Sequence, residues 1–347
     1  MKSPAKWYGI GLAAMPLGLV VLGGVSFALY FLKADDGPAV KGENVENAAI
    51  FRKGIARSDL QDYVEMLSVT IGERNVEKHA NLQRAATWLE SALGPNNMGY
   101  QVERQTYKVN GKACHNIIVQ INGTSKPDEI VVVGAHYDSA INTPGADDNA
   151  SGVAAMVCLA NAFVGTEPER TLRFVGFTNE EPPHFQTSAM GSYVYAKSCS
   201  KEEEEIVAML SLESLGYYSD EKGSQQYPPN LRARYPDTGD FAAVVGNIKS
   251  RRLVDQVAKT LKAESDMPIE KLSFLASMPG IGWSDHWSFW EFGYKAAMIT
   301  DTAPYRNEHY HQKTDLPGTL DYDRLQKVTV GLQAVIAELV GYEAETK

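Results

Sequence analysis

Histidine and acidic residues recur in this chain at the ends of apolar runs. His136 and Asp138 stand in V-V-V-G-A-H-Y-D-S, Asp147 and Asp148 in G-A-D-D-N-A-S-G, and Glu180 and Glu181 in N-E-E. Glu213 closes a further run, and Asp301, His309 and His311 follow the last one. Imidazole and carboxylate together suit Zn²⁺, whereas an all-oxygen set would suit Mg²⁺ or Ca²⁺. One carboxylate shared by two ions, with one His and one further carboxylate for each, makes a pair roughly 3.5–4 Å apart. Three carboxylates against two dications leave one positive charge. A bridging hydroxide neutralises it and is itself a nucleophile. In an adjacent pair of acids such as 180 and 181, one can bind metal while the other stays free as a general base. A lone H-x-D is a weak signal; the convergence of four run ends carries the inference.

The elements that must position these residues alternate. Helical patterns cover Ser58–Gly72, with Ser58 as N-cap, and Glu77–Leu93. Strands follow at Gln101–Val109 and Asn116–Gln120, split by the turn signal at Asn110. Ile130–Gly134 is a β-branched run of the kind buried on both faces. Then come a helix at Ala154–Phe163, a strand at Leu172–Phe177, a helix at Ala189–Lys197, and strands at Ile206–Leu212 and Phe241–Gly246. An amphipathic helix at Arg251–Lys262, a strand at Ala296–Thr300 and a closing helix at Tyr322–Val340 complete the order. Such alternation predicts an α/β fold: a mixed, mainly parallel sheet with helices on both faces. Ligands collect outside the carboxyl ends of strands in such sheets, and that is where the acids and histidines fall. Gly216–Gly239 is polar, Pro-rich and aromatic. It reads as a surface loop or as a border of the substrate site.

The chain has 347 residues and a formal net charge of −10, which excludes a phosphate-neutralising nucleic-acid binder. Tyr8–Leu32 contains no charged residue. As a helix it would run about 38 Å, enough to cross a hydrocarbon core of about 30 Å. Lys2 and Lys6 precede it, Asp35 and Asp36 follow, and Trp7, Tyr8, Tyr30 and Phe31 flank it. This predicts a single-pass anchor over residues 1–34 with a cytoplasmic N-terminus, a linker over 35–54 and an exported domain over 55–347, periplasmic or extracellular. A cleaved signal is the rival, but the apolar run is long for one and no A-x-A site follows. Cys158 lies in an apolar helical pattern. A Cys114–Cys199 bridge is permitted in an oxidising compartment.

The motifs H-Y-D-S, G-A-D-D-N-A-S-G, N-E-E, S-D-H-W-S-F and Y-H-Q-K-T-D occur in the order seen in a known family. From about residue 55 to 341 the chain resembles the di-zinc exopeptidases: secreted bacterial and fungal aminopeptidases, aminopeptidase Y and glutamate carboxypeptidases. The resemblance implies two Zn²⁺ per chain. His136 would bind one, with Asp138 holding its other ring nitrogen. Asp148 would bridge and Asp147 would not ligate. Glu180 would be the general base and Glu181 a ligand of the second zinc. His311, not His309, would be the last ligand. Glu213 stands in L-E-S-L-G where the family has Asp in L-D-M-x-G; the longer carboxylate is expected to ligate still. His184 is expected to be a loop residue, and Ser284, Asp285 and His286 either cap a packed helix or line the site from behind. Tyr305 and Arg306 are candidates to meet a substrate carboxylate or carbonyl.

These expectations add up to a membrane-anchored, exported zinc metallopeptidase acting on peptides, most often at the N-terminal residue by family frequency. One alternative is a glutaminyl cyclase with a single zinc. Another is a non-catalytic ectodomain on a peptidase-like fold.

Overall fold

The computed structural model describes residues 54–228 and 231–342. The chain divides into Met1–Glu46 and Asn47–Lys347, and every described residue belongs to the second unit. The expected anchor and nearly all of the linker lie outside the described residues. Among the described residues no helix is long and apolar enough to cross a membrane.

Eight strands form one sheet: β1 Glu103–Val109, β2 Lys112–Ile121, β3 Lys126–His136, β4 Arg170–Phe177, β5 Glu205–Glu213, β6 Ala242–Asn247, β7 Ile269–Phe274 and β8 Ala296–Thr300. Their order is β1-β2-β4-β3-β5-β8-β6-β7. The centre is parallel, through the pairs β4–β3, β3–β5 and β5–β8. β1 and β2 run antiparallel on one side, and β6 turns against β8 on the other while running parallel to β7. The helices are α1 Arg57–Glu65, α2 His79–Leu93, α3 Gly152–Ala162, α4 Gly191–Lys201, α5 Arg251–Glu264, α6 His286–Glu291, α7 Ala303–Arg306 and α8 Tyr322–Val340.

Alternation along β3 shows how the faces are filled. Val131, Val133 and Ala135 join the large core with residues of α1, α2, α3, α5 and α8. Ile130 and Val132 join a smaller core with Tyr195 and Ala196 of α4 and Phe289 of α6. Helices therefore lie on both faces, each held by apolar side chains that contribute about 1.5–3 kcal/mol apiece when fully buried. A third cluster, with Ala243, Val245 and Met298, is packed mainly by loop residues such as Tyr227, Met278 and Ile281. There the sheet face lies under loops.

Several boundaries differ from expectation. The first helix ends as α-helix at Glu65 and loosens into a π-turn over Met66–Ile71; Ala56, not Ser58, occupies its cap position. α4 begins at Gly191 and runs to Lys201. β7 was not expected, because I-E-K-L-S-F is an edge strand with no fully buried residue and carries no clear alternation. Cys114 packs in the large core and Cys199 in the smaller one, and the permitted bridge between them is not formed.

Candidate metal centre

β3 and β5 each extend to the last residue that matters. Gly134 pairs with Ser211, so His136 and Glu213, two residues further on, leave the sheet side by side. β4 ends level with them, Phe177 opposite His136, and its following turn carries Glu180 and Glu181. The three parallel strands thus deliver an imidazole and three carboxylates to one edge.

Asp148 comes from the turn that precedes α3, and that turn is tied on three sides. Asn149 Oδ1 accepts the N–H of Gly152 at 3.1 Å and of Ser214 at 3.0 Å, while its Nδ2 donates to Leu212 O at 2.8 Å. A Cβ on Gly152 would lie 2.3 Å from Asn149 Oδ1 and 2.4 Å from Leu212 O, so only glycine permits this approach. The Asp315 carboxylate accepts the N–H groups of Asp147 at 2.8 Å and Asp148 at 3.2 Å. Arg74 is fully buried, and its guanidinium donates to the carbonyls of Tyr137, Pro144 and Gly145. One arginine therefore joins the loop after β3 to the loop before Asp148.

The side chains meet around Asp148. Its Oδ1 lies 3.3 Å from His136 Nε2, which is also 3.2 Å from Glu213 Oε2. Its Oδ2 lies 3.1 Å from His311 Nε2, which is also 3.1 Å from Glu181 Oε2. Two three-residue groups result, His136–Asp148–Glu213 and Asp148–Glu181–His311, each able to hold a metal ion and sharing one carboxylate. The donor set fits zinc. Neighbouring ligand atoms of a tetrahedral zinc with bonds of 2.0–2.1 Å stand about 3.3 Å apart. Both ring nitrogens of His136, His311 Nε2 and Glu181 Oε1 are buried without any protein hydrogen-bond partner, an arrangement that buried polar atoms rarely tolerate unless an ion or water satisfies them.

The other two acids stand apart from these groups. Asp138 accepts the N–H of Glu180 and of Glu181, each at 3.2 Å, which ties down the N-E-E turn, and its Oδ1 faces His136 Nδ1 across 3.5 Å without a formed hydrogen bond. Glu180 belongs to neither group; its Oε2 is 3.9 Å from His136 Nε2. The backbone is strained here. Asn179, Ser214 and His311 have φ of +59°, +47° and +56°, and each adjoins or is a residue of the centre. Left-handed conformations cost a non-glycine residue about 1 kcal/mol or more, and persist where surrounding bonds over-determine them.

Charge is out of balance without a cation. Burial pushes Glu180 well above the usual carboxylate range and Glu181 up to about 7, the latter aided by Asp148. Burial alone would lower His311, yet Glu181 and Asp148 outweigh it and push the imidazole up to about 11. Against the cost of burial, His136 and His311 hold Asp148 below its ordinary range. The acids seek protons and the imidazoles seek to be cations; a dication answers both and leaves the histidines neutral, as ligands must be.

The remaining candidates divide. Asp147 accepts from Gly216 N at 2.9 Å and Asn307 Nδ2 at 2.7 Å and supports the turn. His309 and His184 join neither group, and His309 binds Thr314 Oγ1 at 2.9 Å. Asp301 accepts from Tyr217 N at 2.7 Å, beneath the site. Ser284 donates to Glu213 Oε2 at 2.8 Å, and His286 bonds Ile281 O at 2.7 Å. Asp285 makes no cap hydrogen bond, and burial pushes it up to about 7. Arg306 donates from Nε to Gln225 Oε1 at 2.7 Å and from Nη1 to Phe241 O at 2.8 Å. Tyr305 lines a cavity of about 100 Å³ beside Glu213 and Tyr310, bordered by Gln225, Tyr227 and Tyr235 of the loop that follows Gly216. Arg74 carries no motif signal, and Asn149 and Tyr310, whose ring stacks on His311 at 3.9 Å, stand within the quoted motifs without an assigned role. Asp315 likewise closes Y-H-Q-K-T-D, and its spacing after His311 was the available signal.

This chain belongs to peptidase family M28, whose model matches residues 116–336. It is 36% identical over 282 residues to the uncharacterized protein YfbL of Escherichia coli K12, covering 79% of this chain and 85% of YfbL. Among solved structures it resembles BSAP, a zinc aminopeptidase from Bacillus subtilis, with TM-score 0.65 and 16% identity over 84% of this chain and 97% of that one. It also resembles a Fimbriiglobus ruber glutaminyl cyclase, with TM-score 0.62 and 19% identity over 83% and 97%. At these identities the two likenesses are of fold. Against the next relatives, fungal and yeast proteins described as metalloproteases and aminopeptidases, the chain spans 47–58% of their length.

Proposed function

We propose that this M28 peptidase is a membrane-anchored, exported aminopeptidase that uses two zinc ions. The observation that carries the reading is Asp148, whose two oxygens face two separate His–carboxylate groups. His136, Asp148 and Glu213 would hold one ion, and Asp148, Glu181 and His311 the other. Zinc at such positions supplies a Lewis acid for the scissile carbonyl and lowers the pKa of water.

The chain's own residues do the rest. Glu180 takes a proton from the attacking water and passes it to the departing amine. A carboxyl whose pKa is raised by burial suits this exchange, since a general base works best near the operating pH. Asp138, 3.5 Å from His136 Nδ1, would orient the ring with Nε2 toward Asp148 and Glu213. Ser214 and Ser284 donate to the two oxygens of Glu213, at 2.9 and 2.8 Å, and so hold a carboxylate one methylene longer than the family's aspartate. Glu180→Gln should abolish turnover with zinc still bound. Surviving turnover would overturn the mechanism.

The glutaminyl cyclase reading has one observation behind it, the fold likeness to the Fimbriiglobus ruber enzyme. Both three-residue groups are intact here, which favours hydrolysis. One zinc per chain with no peptide hydrolysis would reverse that preference. The anchor follows from the uncharged segment Tyr8–Leu32. Resistance of the full chain to extraction from membranes at alkaline pH tests it, and recovery in the soluble fraction would refute it.

A further inference from the structure

The sheet register places two carboxylates at opposite ends of one row. Glu213 of β5 pairs with Thr300 of β8, Thr300 with Ala243 of β6, and Ala243 with Glu270 of β7. All four residues line the cavity beside the metal centre. Strands lie about 4.8 Å apart, so three intervals separate the Glu213 and Glu270 backbones by about 14 Å. Between them the floor is made of short side chains, Thr300 and Ala243, with Met298, Val245 and Leu272 forming the next row. The roof includes Tyr227 and Tyr235, stacked at 5.8 Å, and Tyr235 Oη donates to Lys271 O at 3.0 Å. Lys271 itself is paired with Asp255 at 2.6 Å. The Glu270 carboxylate has no hydrogen bond or ion pair among the described residues, although it feels Lys262 and Asp240 through space.

We propose that this cavity receives the side chain of the substrate's N-terminal residue and that Glu270 selects a long cationic one, lysine or arginine. The proposal rests on the aminopeptidase reading and narrows it. The scissile carbonyl belongs at the Glu213 end, which puts the substrate Cα a few ångströms inside the cavity. A leucine or phenylalanine side chain reaches about 3–5 Å past Cα and stops over Ala243. Extended lysine or arginine reaches about 6–7 Å at ordinary bond lengths, and the Glu270 side chain can close the remaining gap. The apolar floor accepts the methylenes of such a residue. The tyrosine rings favour its cation, which needs a carboxylate partner once it leaves water.

The test compares lysyl, arginyl, leucyl and norleucyl p-nitroanilides with the zinc-loaded full chain in detergent. Norleucine matches the lysine stem without its ammonium group. Wild-type kcat/KM should favour lysine over norleucine at least tenfold, and Glu270→Gln should lower that ratio at least tenfold. A wild-type ratio at or below one overturns the proposal whether or not the variant folds, and so does a ratio that Glu270→Gln leaves unmoved. In both cases turnover of norleucyl substrate leaves the aminopeptidase reading standing. Failure to cleave any of the four defeats that reading, and the selectivity falls with it.

Discussion

The two halves of the centre use the same chemistry at different depths. In the first, His136 is fully buried and the side chains of Asp148 and Glu213 are 4% and 11% exposed. In the second, Glu181 is equally buried, but the His311 side chain is 32% exposed. The first half also rests on more rigid parts. His136 and Glu213 are the last residues of two neighbouring strands. Glu181 and His311 come from loops, and His311 holds a left-handed backbone. An ion held by the first group would lie among residues enclosed by the sheet, and one held by the second would lie nearer solvent. Local opening is easier where backbone is less tied, so the halves should differ in exchange and not in ligand type.

Asp148→Asn strikes both halves at once and should have the largest effect. Activity should fall at least about a thousandfold, with bound zinc falling in both halves. Activity within tenfold of wild type would mean that no shared carboxylate is needed. His136→Ala and His311→Ala should both inactivate, yet differ in stability when metal is absent. Removing the enclosed His136 leaves a cavity among carboxylates and should cost about 2–4 kcal/mol. Water can reach the space left by His311, whose side chain is 32% exposed, so its loss should cost less than that of His136. Equal losses in urea unfolding would erase the contrast in depth. Limited chelator should then remove zinc in two stages, the His311 half first. Anomalous scattering from half-depleted crystals would locate the ion that remains, and a remaining ion at His311 would reverse the order.

The same difference in depth explains what the sequence could tell. Continuous β-branched runs mark strands buried on both faces, so the central strands and the residues at their carboxyl ends were legible. Local pattern is silent on what holds those residues in place. Arg74 lies in an unremarkable G-E-R-N turn, and its burial against three carbonyls of distant loops is a tertiary fact. β7 escaped notice because an edge strand under a loop need not alternate. That edge also carries Glu270, so the features that shape selectivity were the hardest to read. The choice between Glu180 and Glu181 came only from family likeness. The structure adds a geometric difference, with Glu181 inside a ligand group and Glu180 outside both.

The smallest effects should come from the residues that brace single ligands, and they should respect the division between halves. Asp138→Asn should weaken zinc in the His136 half by about 10–100-fold, since ring orientation depends on it. Ser284→Ala should be milder, near the lower end of that range. It removes the donor to Glu213 Oε2, the oxygen 3.2 Å from His136 Nε2, but Ser214 still donates to Oε1 at 2.9 Å. The carboxylate then regains one torsion, and affinity should fall while kcat at saturating zinc stays within about threefold. Glu181 has no matching brace: its Oε1 is unpartnered among the described residues. Ser284→Ala should therefore make the first half behave more like the second, drawing the two stages of chelation together. If the variant instead loses the His311-side ion first and more readily than wild type, Ser284 acts on the centre as a whole and the halves are not independent.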